Sequence, residues 1–299
     1  MKLGIVVVYL FGEESAPLID LHLRYIEHHT GVPYVIYASV NRLGTRFRDA
    51  ICRHPAVRIC KCPDTLLRGM EEHAHYLNHL VRLAVEDGVS HVVTLHLDSF
   101  PIRSGWAEEL AGKLSSSCAL ATIDRINTAC LFFDREFYLR YRPSFLLSTA
   151  ETESAGYRKY IDEFDPYQHS GIGYGFTAYR NGKSWYYLKD TTGIDYTVAG
   201  RVYDDTIFHL GGAVRIGEPY SQPSGGLQSP GWGRFMKIVV AAARVVTPRS
   251  LRTFLIQNHS AFIERFVDKP QFTLHAQNIR RFKENPEKYL QLLRKDSGS

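Results

Sequence analysis

His91 to Trp106, reading HVVTLHLDSFPIRSGW, is the stretch on which the fold turns. It opens with Val92-Val93-Thr94-Leu95, an apolar run suited to a parallel strand buried on both faces. His96-Leu97-Asp98 follows, and Pro101, which has no N–H to give to a ladder, is expected to close the strand. Two potential metal ligands are thereby expected at the carboxyl end of a central strand, where open α/β sheets keep their ligand crevices. Two residues apart, His96 and Asp98 point to the same face of an ideal strand. An imidazole and a carboxylate converging there can hold a divalent cation, and through it a diphosphate. The same residues admit a plainer use, with Asp98 and Ser99 capping the next helix and His96 packed in the core.

Working outward, the chain alternates strand and helix. Leu3 to Leu10 reads as a first strand and Phe11 to Pro17 as a loop. Leu18 to His29 reads as a helix, with Leu18, Leu21, Tyr25 and Ile26 at helical spacing and Thr30-Gly31-Val32-Pro33 as its stop. Tyr34 to Ala38 and Val57 to Cys62 read as the next strands. Glu71 to Glu86 reads as a helix with Leu77, Leu80, Val81, Ala84 and Val85 on one face. This order predicts a parallel sheet with right-handed crossovers. No G-x-G-x-x-G follows the first strand, which disfavours a dinucleotide site. Further on, Trp106 to Leu114 reads as a helix, Ala119 to Ile123 and Thr128 to Phe133 as strands, and Asp134 as the N-cap of another helix. Residues 140–154 read as a connection, and a helix is expected to run to Arg180. Its glycines at Gly171, Gly173 and Gly175 imply close packing rather than a phosphate loop. Lys183 to Leu188 reads as a late strand.

Composition bounds the function. The chain has 299 residues and a formal net charge of +5, with a pI near 8.9. That mild basicity suits an anionic partner such as a nucleotide diphosphate or a membrane surface. No basic and aromatic stripe or DNA-binding motif argues for nucleic acid. The five cysteines are an odd number in a chain of this size, so a disulfide framework is not expected and reduced thiols are. Cys60-x-Cys62 would be half of a metal site without a second pair. No signal peptide or bilayer-spanning run stands out, and the protein reads as cytoplasmic. After Pro219, Ser221 to Gly226 reads as a linker or lid. Trp232 to Val246, Pro248 to Phe266 and Phe272 to Leu293 then read as helices. They could pack on the sheet, form a homodimer face, or touch a membrane through Arg234, Lys237, Arg244, Arg249 and Arg252.

The central stretch resembles the DxD region of family-two-like glycosyltransferases with the GT-A fold, many of which read close to DSDAFPI here. Aligned on Phe100-Pro101-Ile102, His96 takes the place of the first Asp and Asp98 that of the second, giving an HxD variant. The resemblance implies that Asp98 is the more direct metal ligand. It also implies that Tyr9 and Glu13, with Ala38, Ser39 and Asn41, meet the base and ribose, and that Arg68 and His73 face the diphosphate. A helix start plus a cation suits that last task, as it also suits a solvated helix end. A second segment, Asp204 to Arg215, is closely similar to a part of some bacterial glycosyltransferases in which a strand ends in His, followed by Gly-Gly and Arg. It implies His209 as a further metal ligand, backbone amides at Gly211-Gly212 near a phosphate, and Arg215 pairing it. By position, Asp165 is the candidate general base, with Asp162, Glu163 and Asp195 as competitors and an N-cap before Pro166 as its plainer use.

Together these readings imply an α/β fold: a GT-A-type, Rossmann-like mixed or parallel sheet flanked by helices over 1–219, with a helical C-terminal extension over 220–299. The function implied is transfer of a sugar from a nucleotide-diphosphate sugar to a hydroxyl acceptor, with inversion and the help of a divalent cation. A His96, Asp98, His209 set is nitrogen-rich for Mg²⁺ and better suited to Mn²⁺. The acceptor could be a glycan, a lipid-linked glycan or a small molecule. Two alternatives stand beside it. A nucleotidyltransferase would carry a Gly-rich basic loop after the first strand, where this chain has acidic Phe11-Gly12-Glu13-Glu14. A non-catalytic, glycosyltransferase-like binding protein would fit the altered DxD.

Overall fold

A computed structural model describes residues 1–10, 18–41, 43–67, 69–164, 170–193, 200–211 and 280–294. The chain separates into two compact units, 1–191 with 201–209, and 192–200 with 210–299. The expected boundary at Pro219, and the expected helices at Trp232 to Val246 and Pro248 to Phe266, lie outside the described residues. Within the second unit, α9 (Pro286–Leu293) starts on an N-cap, Asn285, whose side chain accepts from the Lys288 N–H, with Pro at the start of the helix.

The first unit is built on β1 (Leu3–Val8), LGIVVV, every residue of which is buried. Such an unbroken apolar run only suits a strand covered on both faces. It pairs in parallel with β2 (Tyr34–Ser39) and with β4 (His91–Leu95). β3 (Val57–Ile59) extends the parallel set beyond β2. The helices α1 (Leu18–His29) and α3 (Met70–Glu86) supply the connections, as the periodicity predicts, and α2 (Thr45–Cys52) adds one that it does not. α2 is short and fully buries only Ile51, with Phe47 and Ala50 half-buried beside it, a stripe too brief to stand out. α3 buries the expected Leu77, Leu80, Val81, Ala84 and Val85. It lies close over β1, where a Cβ on Gly4 would stand 3.2 Å from Ala84 Cβ of α3 and 3.2 Å from Val89 Cγ2 just beyond it.

The second half departs from an all-parallel sheet. The chain continues through β5 (Ser99–Pro101), α4 (Trp106–Lys113), β6 (Cys118–Ile123) and β7 (Asn127–Asp134). β7 is antiparallel to both β4 and β6. It leads into α5 (Arg135–Tyr141), where the Asp134 side chain accepts from the Phe137 N–H, the N-cap expected from the sequence. Then come α6 (Thr149–Thr152), α7 (Ala155–Phe164), α8 (Ile172–Arg180) and β8 (Ser184–Tyr187), which closes the sheet in the order β3-β2-β1-β4-β7-β6-β8. α7 is unexpected, although Tyr157, Tyr160, Ile161 and Phe164 fall at helical spacing; only Tyr160 is fully buried, with Tyr157 and Ile161 packed around it. The architecture is therefore α/β with a mixed, largely parallel sheet flanked by helices, as expected.

A separate three-stranded antiparallel sheet runs β5-β10-β9, with β9 (Arg201–Tyr203) and β10 (Ile207–His209). It corrects one expectation: the central strand already closes at Leu95, and Pro101 is instead the last residue of a second strand, β5, paired with Ile207. An edge strand tolerates proline because one row of its amides has no ladder to serve. All five cysteines are free. Among the described residues no helix is long and apolar enough to cross a membrane.

Close packing explains the glycines of α8. A Cβ on Gly173 would collide with the Ser144 carbonyl oxygen, and one on Gly175 with Ile126 and the Tyr160 hydroxyl. Gly173→Ala should therefore destabilise by about 1–3 kcal/mol, measured as a denaturant midpoint. Gly112→Ala, in α4 with open space around it, should stabilise by a few tenths to about 1 kcal/mol.

His22 gives the stability a pH dependence. It is fully buried in α1, its Nδ1 lying 3.2 Å from the Tyr9 hydroxyl, and burial pushes its pKa down to about 3. The unfolded chain therefore takes up a proton at this group first. The stability it contributes is complete above about pH 6.5 and is lost as pH falls from there towards 3. Urea midpoints should fall with pH over this range, by less in His22→Leu than in the wild type.

Candidate metal centre

β4 ends at Leu95, and the next three residues form a turn rather than more strand. The Ser99 N–H donates to the His96 carbonyl at 3.0 Å, and the His96 N–H donates to Ser99 Oγ at 2.8 Å. The Ser99 hydroxyl in turn donates to the Ala129 carbonyl of β7. His96 and Asp98 are thus brought together by a turn pinned to β7, and not by the two-residue period of a strand. A strand cannot continue there because the chain must leave the large sheet to enter β5. The capping alternative is also excluded: α4 starts on Gly105, in the left-handed region at φ 79, with no side-chain cap.

The third residue arrives from far along the sequence. β10 pairs with β5 so that His209 stands opposite Ser99. This register sets the His209 ring beside Asp98, with Nε2 3.9 Å from Oδ1. His96, Asp98 and His209 each offer a ligand atom, and those atoms all lie within 4.8 Å of one another. Among the described residues this is the one such group of three or more His, Cys, Asp or Glu side chains. Asp98 is 2% exposed. A carboxylate sunk this deep between imidazoles is a charge that a cation would neutralise. Two imidazoles and a carboxylate fit a divalent transition metal such as Mn²⁺ or Zn²⁺ better than Mg²⁺, which prefers an all-oxygen shell.

A chain of hydroxyls backs this cluster, and sequence reasoning missed it. His96 Nε2 lies 3.0 Å from Thr128 Oγ1. Thr128 Oγ1 lies 2.9 Å from Ser170 Oγ. Ser170 Oγ lies 3.2 Å from His73 Nδ1. The His73 and His96 rings meet edge to face at 5.1 Å. Burial pushes the His73 pKa down to about 4, so the ring is neutral at physiological pH. The signal for Thr128 was present: it is a lone hydroxyl at the head of the apolar run Ala129-Cys130-Leu131-Phe132-Phe133, facing the end of β4.

The remaining candidates fall into two groups. Tyr9 and Ser39 follow or end the adjacent parallel strands β1 and β2, on the same sheet edge as His96. Tyr9 is fully buried, its hydroxyl against His22, and its N–H donates to the Ser39 carbonyl at 2.9 Å. Ser39 is also buried, and its hydroxyl donates to Asn41 Oδ1 at 3.1 Å. The Asn41 amide donates to the Cys62 carbonyl at 2.8 Å. His73 lies in the first turn of α3, as expected for a helix-start position. Glu13, Arg68, Asp165, Asp195 and Arg215 lie outside the described residues. Of the competitors for the base, Asp162 and Glu163 are exposed on α7, and Glu163 accepts from the Tyr179 hydroxyl at 3.0 Å.

No protein-family model matches the chain, and no curated protein matches it. Solved structures similar to it include mouse xyloside xylosyltransferase 1 in its apo form, at 11% identity over 64% of this chain and 87% of that one, with a TM-score of 0.41. The galactosyltransferase LgtC, in complex with donor and acceptor sugar analogs, is 12% identical over 64% of this chain and 74% of that one, with a TM-score of 0.39. The mannosyltransferase PcManGT from Pyrobaculum calidifontis, in complex with GDP-Man and Mn²⁺, is 13% identical over 97% of this chain and 78% of that one, with a TM-score of 0.44. These are distant likenesses.

If the three side chains share a cation, Mn²⁺ or Zn²⁺ should raise the melting temperature of the wild type and EDTA should reverse the rise. Asp98→Ala and His209→Ala should each remove the shift. An equal shift in Asp98→Ala would place the cation elsewhere.

Proposed function

We propose that this protein is a glycosyltransferase, moving a sugar from a nucleotide-diphosphate donor to a hydroxyl acceptor with a divalent cation at His96, Asp98 and His209. The observation that carries the reading is the convergence of these three side chains where β4 leaves the carboxyl edge of the parallel strands. That edge is where an open α/β sheet receives its ligand. The HxD resemblance and the sugar-transferring neighbours point the same way.

A cation held there supplies Lewis-acid neutralisation of the diphosphate as the glycosidic bond breaks. The chain's own residues do the rest. Asp98 brings the negative charge that makes the site selective for a cation, and the Ser99 hydrogen bonds hold it in place before any ligand arrives. Such preorganisation spares the site from reorganising as charge develops on the leaving group. The resemblance brings the nucleoside to the same edge, by Tyr9 and Ser39, whose buried side chains shape that edge rather than project from it. Asp165 takes the acceptor hydroxyl's proton, and attack from the face opposite the leaving group inverts the anomeric carbon.

The test is a panel of UDP- and GDP-sugars with Mn²⁺, read as nucleoside diphosphate released with and without simple sugar acceptors. Release from one donor, stimulated by an acceptor, is expected, with a loss of at least about a hundredfold in Asp98→Ala. Asp165→Asn should keep donor affinity and lose transfer. Donor binding without turnover would favour a non-catalytic binding protein. Turnover indifferent to Asp98→Ala would remove the assigned site.

A further inference from the structure

The four side chains His96, Thr128, Ser170 and His73 form one continuous hydrogen-bonded line, with spacings of 3.0, 2.9 and 3.2 Å. Each hydroxyl in the line has one proton and two lone pairs; accepting from both sides would leave its proton without an acceptor in a buried place, so each donates on one side and accepts on the other. The line can therefore be polarised in only two ways. In one, His96 Nε2–H donates to Thr128, Thr128 to Ser170, and Ser170 to His73 Nδ1. In the other every bond is reversed, and His96 accepts at Nε2 while carrying its proton on Nδ1.

A cation at the centre selects between them. Nε2 of His96 faces Thr128, so a metal meets this ring at Nδ1, and a ligating nitrogen carries no proton. Only the first polarity leaves Nδ1 bare. We propose that Thr128 is the positioning residue that fixes the ligating tautomer of His96, and that Thr128 and Ser170 transmit this choice to His73. With metal bound, His73 accepts at Nδ1 and must carry its own proton on Nε2. It thereby holds a ring N–H to offer an anionic oxygen, the role expected of it towards the donor diphosphate. This deepens the proposed metal site and rests on it.

The surroundings support a built line rather than a chance one. Thr128 is 2% exposed and Ser170 7%. The Thr128 carbonyl is itself anchored, accepting from the Thr94 hydroxyl of β4 at 2.8 Å. The turn just before it holds Ile126 at φ 61, a strained conformation for a β-branched residue. Strain of that kind persists only where the surroundings over-determine the backbone. The outer partner of a ligating histidine commonly governs its orientation and basicity.

The experiment is Zn²⁺ and Mn²⁺ titration calorimetry on the full chain, paired with ¹⁵N-histidine NMR of the zinc form, which reports tautomers directly. Wild type should bind Zn²⁺ with His96 coordinated through Nδ1 and His73 protonated on Nε2. Thr128→Val removes the hydroxyl at nearly constant volume and should weaken metal binding about 10–100-fold. It should also release His73 from a single tautomer. Thr128→Ser, which restores the hydroxyl, should restore both. Ser170→Ala should release the His73 tautomer and leave His96 ligating through Nδ1. If wild type binds no metal, or Asp98→Ala binds it unchanged, the metal site itself fails and the inference with it. If wild type binds at this site but Thr128→Val matches it in affinity, or His73 carries its proton on Nδ1 in the zinc form, the positioning role alone is overturned.

Discussion

Three residue pairs between β10 and β5 carry more consequence than any other contact in the first unit. The pairing Ile207 to Pro101, Phe208 to Phe100 and His209 to Ser99 brings a late strand against the chain just after the central strand of the large sheet. Side chains alternate along a strand, so a slip of one residue would turn His209 to the opposite face and put Phe208 where a ligand is needed. Register here is protected by what surrounds it. Phe208 is fully buried against Phe100, their rings 5.3 Å apart, and Phe100 stacks on Tyr25 of α1 at 4.7 Å. The aromatic packing of one face of the small sheet thus holds the polar cluster on its other side in place.

The stretch 91–106 belongs to both sheets, and that is why it reads so clearly. Its apolar run is a strand because nothing else suits four buried residues flanked by polar ones, and its polar remainder is the turn that carries the ligands. β1, β2, α1 and α3 were equally legible, since each buries a run or a stripe of apolar residues. What could not be read has a common cause. α2 and α7 are short and fully bury one residue each, so their stripes, Phe47-Ala50-Ile51 and Tyr157-Tyr160-Ile161-Phe164, are mostly half-exposed and easily passed over. The antiparallel entry of β7 is a fact of topology, which burial alone does not encode. In the site, His96, Asp98 and His209 were legible as residue types in motifs. Their true mode of assembly, through a turn held by Ser99 and a cross-strand pair, was not. Thr128 stood out only as a lone hydroxyl at the head of an apolar run, and Ser170 not at all, because a hydroxyl in a strand or a loop has no chemistry until its neighbours are known.

Glycine at two positions of α8 shows how packing reaches from the scaffold to the site. Gly175 leaves a notch that Ile126 and Tyr160 fill. Ile126 is buried there although its backbone is in the left-handed region, and Asp124 two residues before it is as well, at φ 45. The tight hairpin between β6 and β7 is thus clamped by a helix that is poor in intrinsic propensity but able to approach closely. The hairpin's exit strand begins with Asn127 and Thr128, so the notch and the hydroxyl line share one piece of backbone.

The separation of the ligands along the chain has a kinetic side. His96 and Asp98 lie together, but His209 is more than a hundred residues further on. Closing so long a loop costs chain entropy that only the finished pairing of β10 returns. The parallel core from β1 to β4 can form from local crossovers, whereas the cluster exists only once the last strand of the small sheet has docked. A nascent chain would therefore carry a folded sheet before it carried a complete set of ligands. Until then His96 and Asp98 can offer a cation only two of the three ligands, so firm capture of metal waits on the docking of β10.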